Sequence, residues 1–279
     1  MNRASDDLAY WLEVAEVRAI TDLWRALAGL PGNPFAVAIT SNDETATVSM
    51  GALDIGLFNR SVGLGIGDPA SEAQIDAALD FFRLAGRTSW ILQVSPLARP
   101  SSLEHWLETR GLRRGRRWAK FWRDTNDPPA TQTDLRIDEV GREHAADFDR
   151  VVVAAFEMPD AIADATSRLV DRDGWHTYLA FDGAEAVGAA ALFVTGDVGW
   201  LGFGATLESH RGRGSQGAMF ARRIVDAAAL GVRLVVTETG EDLPEDPNPS
   251  YRNMLRAGFR LGYLRQNWLP PEAPTRAGP

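Results

Sequence analysis

The chain of 279 residues has no cysteine and, among 29 basic residues, a single lysine, Lys120. Without cysteine there is no disulfide, no thiolate metal ligand and no cysteinyl nucleophile, so a cysteinyl acyl-enzyme is excluded. The dominance of arginine over lysine is read as compositional. Long apolar runs are also missing, and stretches such as residues 186–195 fall well short of the ~18 residues that mark a membrane span. The start, MNRASDD, is acidic where a secretory leader is basic and then apolar. The expectation is a cytoplasmic protein with no membrane partner. Positive charge is scarce as well: the net charge is −9, and from Thr131 onward 15 Arg face 22 Asp and Glu. Such a balance argues against nucleic acid as a partner.

The composition present, 45% apolar and 24% charged with nine tryptophans spread along the chain, is that of a globular protein, and its length favours two domains. The stretch DTNDPPATQT, residues 124–133, reads as a linker. It separates a first domain, 1–123, from a second, 134–268, and LPPEAPTRAGP, 269–279, reads as a loose tail. The halves also repeat one another. FFRLAGRTSWILQVSP and, after a gap, WLETRGLRRGRRWAKFW match IVDAAALGVRLVVTETG and NMLRAGFRLGYLRQNW. Each copy has a helix ending at a glycine (Gly86, Gly231), an apolar strand, a loop, and a short helix ending at a second glycine (Gly111, Gly258), followed by a strand.

In the second half the periodicities predict a strand near 134–138, helices over 142–156 and 160–170, and strands over 177–181, 186–195 and 199–207. A helix follows, with Gly214, Gly217, Ala218, Ala221, Ile224, Val225 and Ala228 as its packed stripe. Strand 233–239, helix 250–257 and strand 259–268 complete the pattern. The fold class expected is α/β, a mixed and mostly antiparallel sheet flanked by helices, in two tandem copies.

The stretch SHRGRGSQGAMFARR, 209–223, carries the clearest chemistry. A helix start leaves backbone N–H groups without partners and concentrates about half a positive charge, and glycines let an anion approach the backbone. Arg211, Gly212, Arg213, Gly214, Ser215, Gln216 and Gly217 therefore suit a pyrophosphate. In the preceding strand Gly202 and Gly204 leave one face bare, which fits a ligand lying along it, a bulge, or tight packing.

Strand, RGRG turn, small-residue helix, strand and then NPSYRNMLRAGF resemble the GNAT superfamily of acyl-CoA-dependent N-acyltransferases over about 134–268. The resemblance implies that the loop holds the coenzyme A pyrophosphate, with Arg211 and Gly214 matching the family's pattern and Gln216 departing from it at a position for a small residue. It implies a role for Asn248 and Ser250 beside the cofactor, acetyl-CoA or another acyl-CoA as co-substrate, and a backbone N–H near Ala205 or Thr206 polarising the thioester carbonyl. No metal is implied. Where the family often has a tyrosine as general acid this chain has Met254, and Tyr251 is the nearest substitute.

Glu238 is the first candidate for general base and Glu157 the second; His176 and His210 are weaker ones. The corresponding loop of the first half reads GDPASEAQ, where Ser71 and Gln74 form a capping box and Asp68 and Glu72 repel phosphate. The first domain is thus read as a degenerate copy that shapes the substrate cleft. The expected activity is transfer of an acetyl or other short acyl group from coenzyme A to a primary amine by direct attack in a ternary complex. The acidic stretch GEDLPEDP, 240–247, would favour a cationic amine. The alternatives are a non-catalytic protein that binds acyl-CoA or a partner, and another acyl-CoA activity such as decarboxylation.

Overall fold

In the computed structural model, which describes residues 3–272, the two halves repeat one pattern. The first runs α1 (Arg3–Ala28), β1 (Val37–Ser41), β2 (Ala46–Met50), β3 (Arg60–Val62), α2 (Glu72–Leu84), β4 (Ile91–Val94), α3 (Leu103–Thr109), β5 (Arg113–Arg114) and β6 (Trp118–Asp124). The second runs β7 (Arg136–Glu139), α4 (Ala145–Ala155), β8 (Trp175–Asp182), β9 (Glu185–Thr195), β10 (Val198–Thr206), α5 (Ser215–Ala229), β11 (Leu234–Gly240), α6 (Pro249–Arg256) and β12 (Arg260–Leu269). This is the mixed, mostly antiparallel sheet with flanking helices that the sequence leads one to expect. The glycines that close the paired helices, Gly86 and Gly231, Gly111 and Gly258, have φ of 67°, 82°, 75° and 78°. Only glycine enters that left-handed region freely, and it lets the chain turn out of each helix into the next strand.

The strands exchange between halves. β6 pairs with β11 of the second half, and β12, after pairing with β6 through residues 260–265, inserts its end between β4 and β5. The order is β1-β2-β3-β4-β12-β6-β11-β10-β9-β8-β7, one continuous sheet. Trp268 of β12 is consequently fully buried in the core under α2 and α3, beside Phe82, Leu92 and Leu107. On the second half of the sheet α1 and α4 cover one face, and α5 and α6 the other. Of the tail 269–279, Leu269 belongs to β12, and residues 273–279 lie outside the described residues. Among the described residues no helix is long and apolar enough to cross a membrane, including the 26 residues of α1.

Two local readings are corrected. The segment 160–170 forms two single turns, Asp160–Ile162 and Thr166–Leu169, instead of one helix. The buried carboxylate of Asp149 captures the amides of Asp164 and Thr166 at 2.8 and 2.9 Å, and Asp164 takes φ of 69°, which stops helical propagation. The packed face of α5 is also rotated from the expected stripe. Ser215, Ala218, Met219, Phe220, Arg223, Ile224 and Ala227 are buried, while Val225 is exposed.

Candidate active site

β10 and β11 run parallel and pair only through residues 198–200 and 234–236. Beyond Gly202 the register of β10 against β9 shifts, leaving Phe203 and Gly204 without partners, and Phe203 has φ of 54°. This is a β-bulge, which bends the strand and pulls it away from its neighbour. The sheet therefore opens between β10 and β11, and a cavity of ≈ 240 Å³ passes through the opening. Trp24 of α1, Trp175 and Trp200 line it on one face, and Phe220, Arg223 and Met254 on the other. Of the two readings for bare glycines, Gly204 is open space toward the cavity, its nearest neighbour being Arg223 Nη2 at 4.0 Å from a hypothetical Cβ. Gly202 is close packing, because the ring of Trp200 occupies the position of any side chain there.

At the α5 end the cavity meets a groove of ≈ 750 Å³ lined by Gly204, Ala205, Thr206, Arg211, Gly212, Gly214, Ser215, Gln216, Gly217 and Ser250. The N-cap of α5 is Gly214, which offers no side-chain acceptor, and the first amide bonded back is that of Ala218 to Gly214 O. The amides of Ser215, Gln216 and Gly217 thus form an uncapped first turn. Arg211 lines the groove, and among the described residues it has no carboxylate partner. These features fit a pyrophosphate.

The first half differs at the same place. Ser71 and Gln74 close the capping box on α2 as expected, and the carboxylate of Glu44 fills the space over Gly67.

The remaining residues named from sequence divide sharply. Arg213 faces away from the groove, held by Asp134 at 3.1 Å and Asp182 at 2.6 Å. Gln216 turns its side chain across the groove rather than out to solvent: it donates to Ser250 Oγ at 3.4 Å and accepts from Asn253 Nδ2, linking α5 to α6. Thr206 Oγ1 donates to Ser215 Oγ at 3.1 Å, tying the end of β10 to the start of α5. Asn248 is the N-cap of α6; its Oδ1 accepts from Ser250 N at 3.0 Å and its Nδ2 donates to Gly240 O at 2.6 Å. Tyr251 stands edge-on to Phe121 at 4.9 Å and lines neither space. Met254 instead lines the cavity, and Tyr251 is one turn too early on α6 to reach it. Glu157 is exposed with φ of 51° between Phe156 and Met158, which do line the cavity. His176 pairs with Glu139 at 2.7 Å and His210 with Asp182 at 3.4 Å.

Glu238 lies on the cavity wall, at the interior end of the opening. Trp200 Nε1 donates to both its oxygens at 3.1 Å, and Lys120 Nζ to Oε2 at 3.0 Å. Lys120 also reaches Glu16 at 2.7 Å, and Glu16 accepts from Arg60 at 3.0 Å and Arg265 at 2.7 Å. Glu13 joins through Arg265 at 2.8 Å. The network holds three carboxylates and three cations, drawn from α1, β3, β6, β11 and β12. Burial, and then the charge of Glu16, push the Glu238 carboxyl above its ordinary range against the pull of Lys120 and Arg265. For Glu16 burial acts upward too, but Arg265, Lys120 and Arg60 outweigh it and hold the group below its ordinary value.

Sequence reasoning missed Lys120, Glu16 and Arg223. The lone lysine was a usable signal: in a chain that otherwise uses arginine, a compact ammonium stands fully buried between two carboxylates. Arg223, 1% exposed, donates to the carbonyls of Met219, Ala191 and Gly202 and so fixes the bulge from beneath. Burial without a carboxylate partner lowers it to about 10.

No family description matches the chain, and no curated protein matches it by sequence. Solved structures do. The chain is similar to a GCN5-related N-acetyltransferase from Kribbella flavida, with a TM-score of 0.61 and 19% identity over 92% of this chain and 96% of that one. A GCN5-related N-acetyltransferase from Sphaerobacter thermophilus matches with a TM-score of 0.54 and 14% identity over 94% and 92% of the two chains. A tandem GNAT protein from the clavulanic acid biosynthesis pathway matches with a TM-score of 0.53 and 17% identity over 94% and 98%. The likeness is one of fold: the chain has the GNAT fold, and 94% of it aligns with a tandem example.

Proposed function

We propose that the protein is an acyl-CoA-dependent N-acyltransferase that moves an acetyl or other short acyl group to a primary amine by direct attack in a ternary complex. The carrying observation is Glu238, a buried carboxylate of raised affinity for protons, facing a cavity that runs through the sheet and opens beside the uncapped turn of α5. Acetyl-CoA, when bound, supplies an activated thioester. The amides of Ser215, Gln216 and Gly217, with Arg211, hold its pyrophosphate, and Gln216, Ser250 and Met254 border the path into the sheet.

Backbone N–H groups of the bulge segment, residues 203–206, polarise the carbonyl oxygen. Glu238 takes the proton from the attacking amine, its pKa raised toward the working range of a general base. The bond formed is N–C and the bond broken is C–S. A thiol of ordinary pKa near ~8.5 departs largely without an acid, and groove water supplies its proton. Tyr251 is given no part. Orientation in the opening contributes ~7 to 11 kcal/mol and the base a factor of ~10² to 10⁴.

Release of free thiol from acetyl-CoA, followed with a panel of amines, tests the reading. Turnover with at least one amine, falling about 100-fold or more in Glu238→Gln, is expected. Tight acetyl-CoA binding with no turnover on any amine would instead identify a binding protein.

A further inference from the structure

The acceptor side of the cavity is almost devoid of free polar groups. Its walls are Leu23, Trp24, Phe58, Trp175, Trp200 and Phe203, with Trp175, Trp200 and Phe203 packed at mutual centroid distances of 6.1 to 6.2 Å. Most polar side chains there are already engaged. Thr166 Oγ1 bonds Asp149 at 2.7 Å, Thr237 Oγ1 bonds Leu201 O at 2.8 Å, and Arg60 Nη1 is held by Glu16, while Trp24 Nε1 and Arg60 Nε have no partner among the described residues but are shielded from open space. Glu238 keeps acceptor capacity, since a carboxylate has about four lone-pair sites and its known donors are Lys120 and Trp200. A ligand that leaves this surface satisfied has one cationic or amine head and an apolar body.

The acidic stretch 240–247 does not alter that conclusion. Glu241 is paired with Arg117, Asp242 with Arg252 and Asp246 with Arg116, and neither these three nor Glu245 lines the cavity. A ligand with several charges would find one carboxylate and a wall of rings, and each further ammonium would lose its water without a partner. Size agrees: the whole cavity, counting both sides of the sheet, is ≈ 240 Å³, more than the roughly 150 Å³ that encloses benzene.

We infer that the acceptor is a small primary amine on an aromatic or otherwise apolar body, its nitrogen at Glu238 and its body against Trp24, Trp175 and Trp200. This rests on the acyl-transfer reading for the reaction, but the binding step can be tested without it. The first half builds much of this wall, through Trp24, Leu27, Met50 and Phe58, which gives the degenerate copy a role in selecting the acceptor.

The test is direct binding to the full chain, without acyl-CoA, of 2-phenylethylamine, 2-phenylethanol and spermidine, read by calorimetry and tryptophan fluorescence. The amine should bind at least tenfold more tightly than either comparator. Ala19→Phe, which fills the cavity from α1, should weaken it tenfold or more, with Leu23→Trp as the second variant if the first does not fold. In Glu238→Gln the advantage of amine over alcohol should disappear. Spermidine binding more tightly, or indifference to both filling variants, would overturn the proposal. If 2-phenylethylamine binds as expected but no amine releases thiol from acetyl-CoA, the acyl-transfer reading fails and the apolar-amine site stands. If spermidine or a lysine peptide is acetylated while 2-phenylethylamine neither binds nor reacts, the reaction stands and this inference falls.

Discussion

Replacing Lys120 by methionine probes the proposed base and the network that holds it in one experiment. Lys120 is fully buried between Glu16 and Glu238, at 2.7 and 3.0 Å. Its removal leaves Glu13, Glu16 and Glu238 facing only Arg60 and Arg265, an interior charge of −1. Losing one partner of a buried ion pair costs about 3 to 5 kcal/mol. At about 2 to 4 °C per kcal/mol for a chain near this size, the melting temperature should fall by roughly 10 °C.

Kinetics give the second readout. The ammonium opposes the upward shift of Glu238, so its loss leaves burial and Glu16 free to raise that pKa further. Two unit charges at 4 Å interact by about 4 kcal/mol at an effective dielectric of 20, and one pKa unit corresponds to about 1.4 kcal/mol. Even after relaxation, the acid limb of kcat/KM should move up by more than one pH unit, and because the base works deprotonated, the rate at neutral pH should drop. Glu238→Gln added to Lys120→Met restores charge balance and should recover part of the lost stability. Thiol release against pH and thermal denaturation measure the two effects. An acid limb that stays in place while stability falls would remove Glu238 as the titrating base; equal melting temperatures in the single and double variants would refute charge coupling.

Two further outcomes follow from the geometry. Gly212 and Gly214 have φ of 82° and 80°, so alanine at either pays about 1 to 2 kcal/mol of backbone strain. A side chain at Gly214 also runs into the carbonyl of Gln132, whereas at Gly212 it meets open space. Calorimetry with acetyl-CoA should show Gly214→Ala weakening binding tenfold or more and Gly212→Ala by less than threefold; equal effects would sink the assignment of the loop. Trp268→Ala should cost about 3 to 5 kcal/mol and lower a single cooperative transition, because this residue of β12 fills the core of the other half. Two separate transitions would contradict the strand exchange.

What the sequence made legible is what local pattern controls. The glycines that stop helices, the alternation of the strands and the uncapped RGRG turn are each decided by neighbours a few residues away, and the second-half elements lie within a few residues of the readings, apart from 160–170. That segment failed because Asp149, a residue of the preceding helix, takes the amides a helix needs. The same limit governs the site.

Glu238 could be chosen as a carboxylate at a strand end, but its partners come from residue 16 on α1 and residue 120 on β6. Glu13 and Glu16 would pass for a solvated face of α1 until Arg265 and Lys120 arrive from strands more than a hundred residues away. Tyr251 failed for a smaller reason, a single turn of α6 that aims it at Phe121 and leaves Met254 on the cavity wall.

The exchange of β6 and β12 joins these points. It brings Lys120 to Glu238 and Arg265 to Glu16, so the charge on the candidate base is set by strands contributed from both halves. Two units merely placed side by side would have left Glu238 without Lys120, which donates to it at 3.0 Å. The first half, whose own helix α2 is closed by a capping box, therefore takes part in the candidate site through the strand and helix it lends.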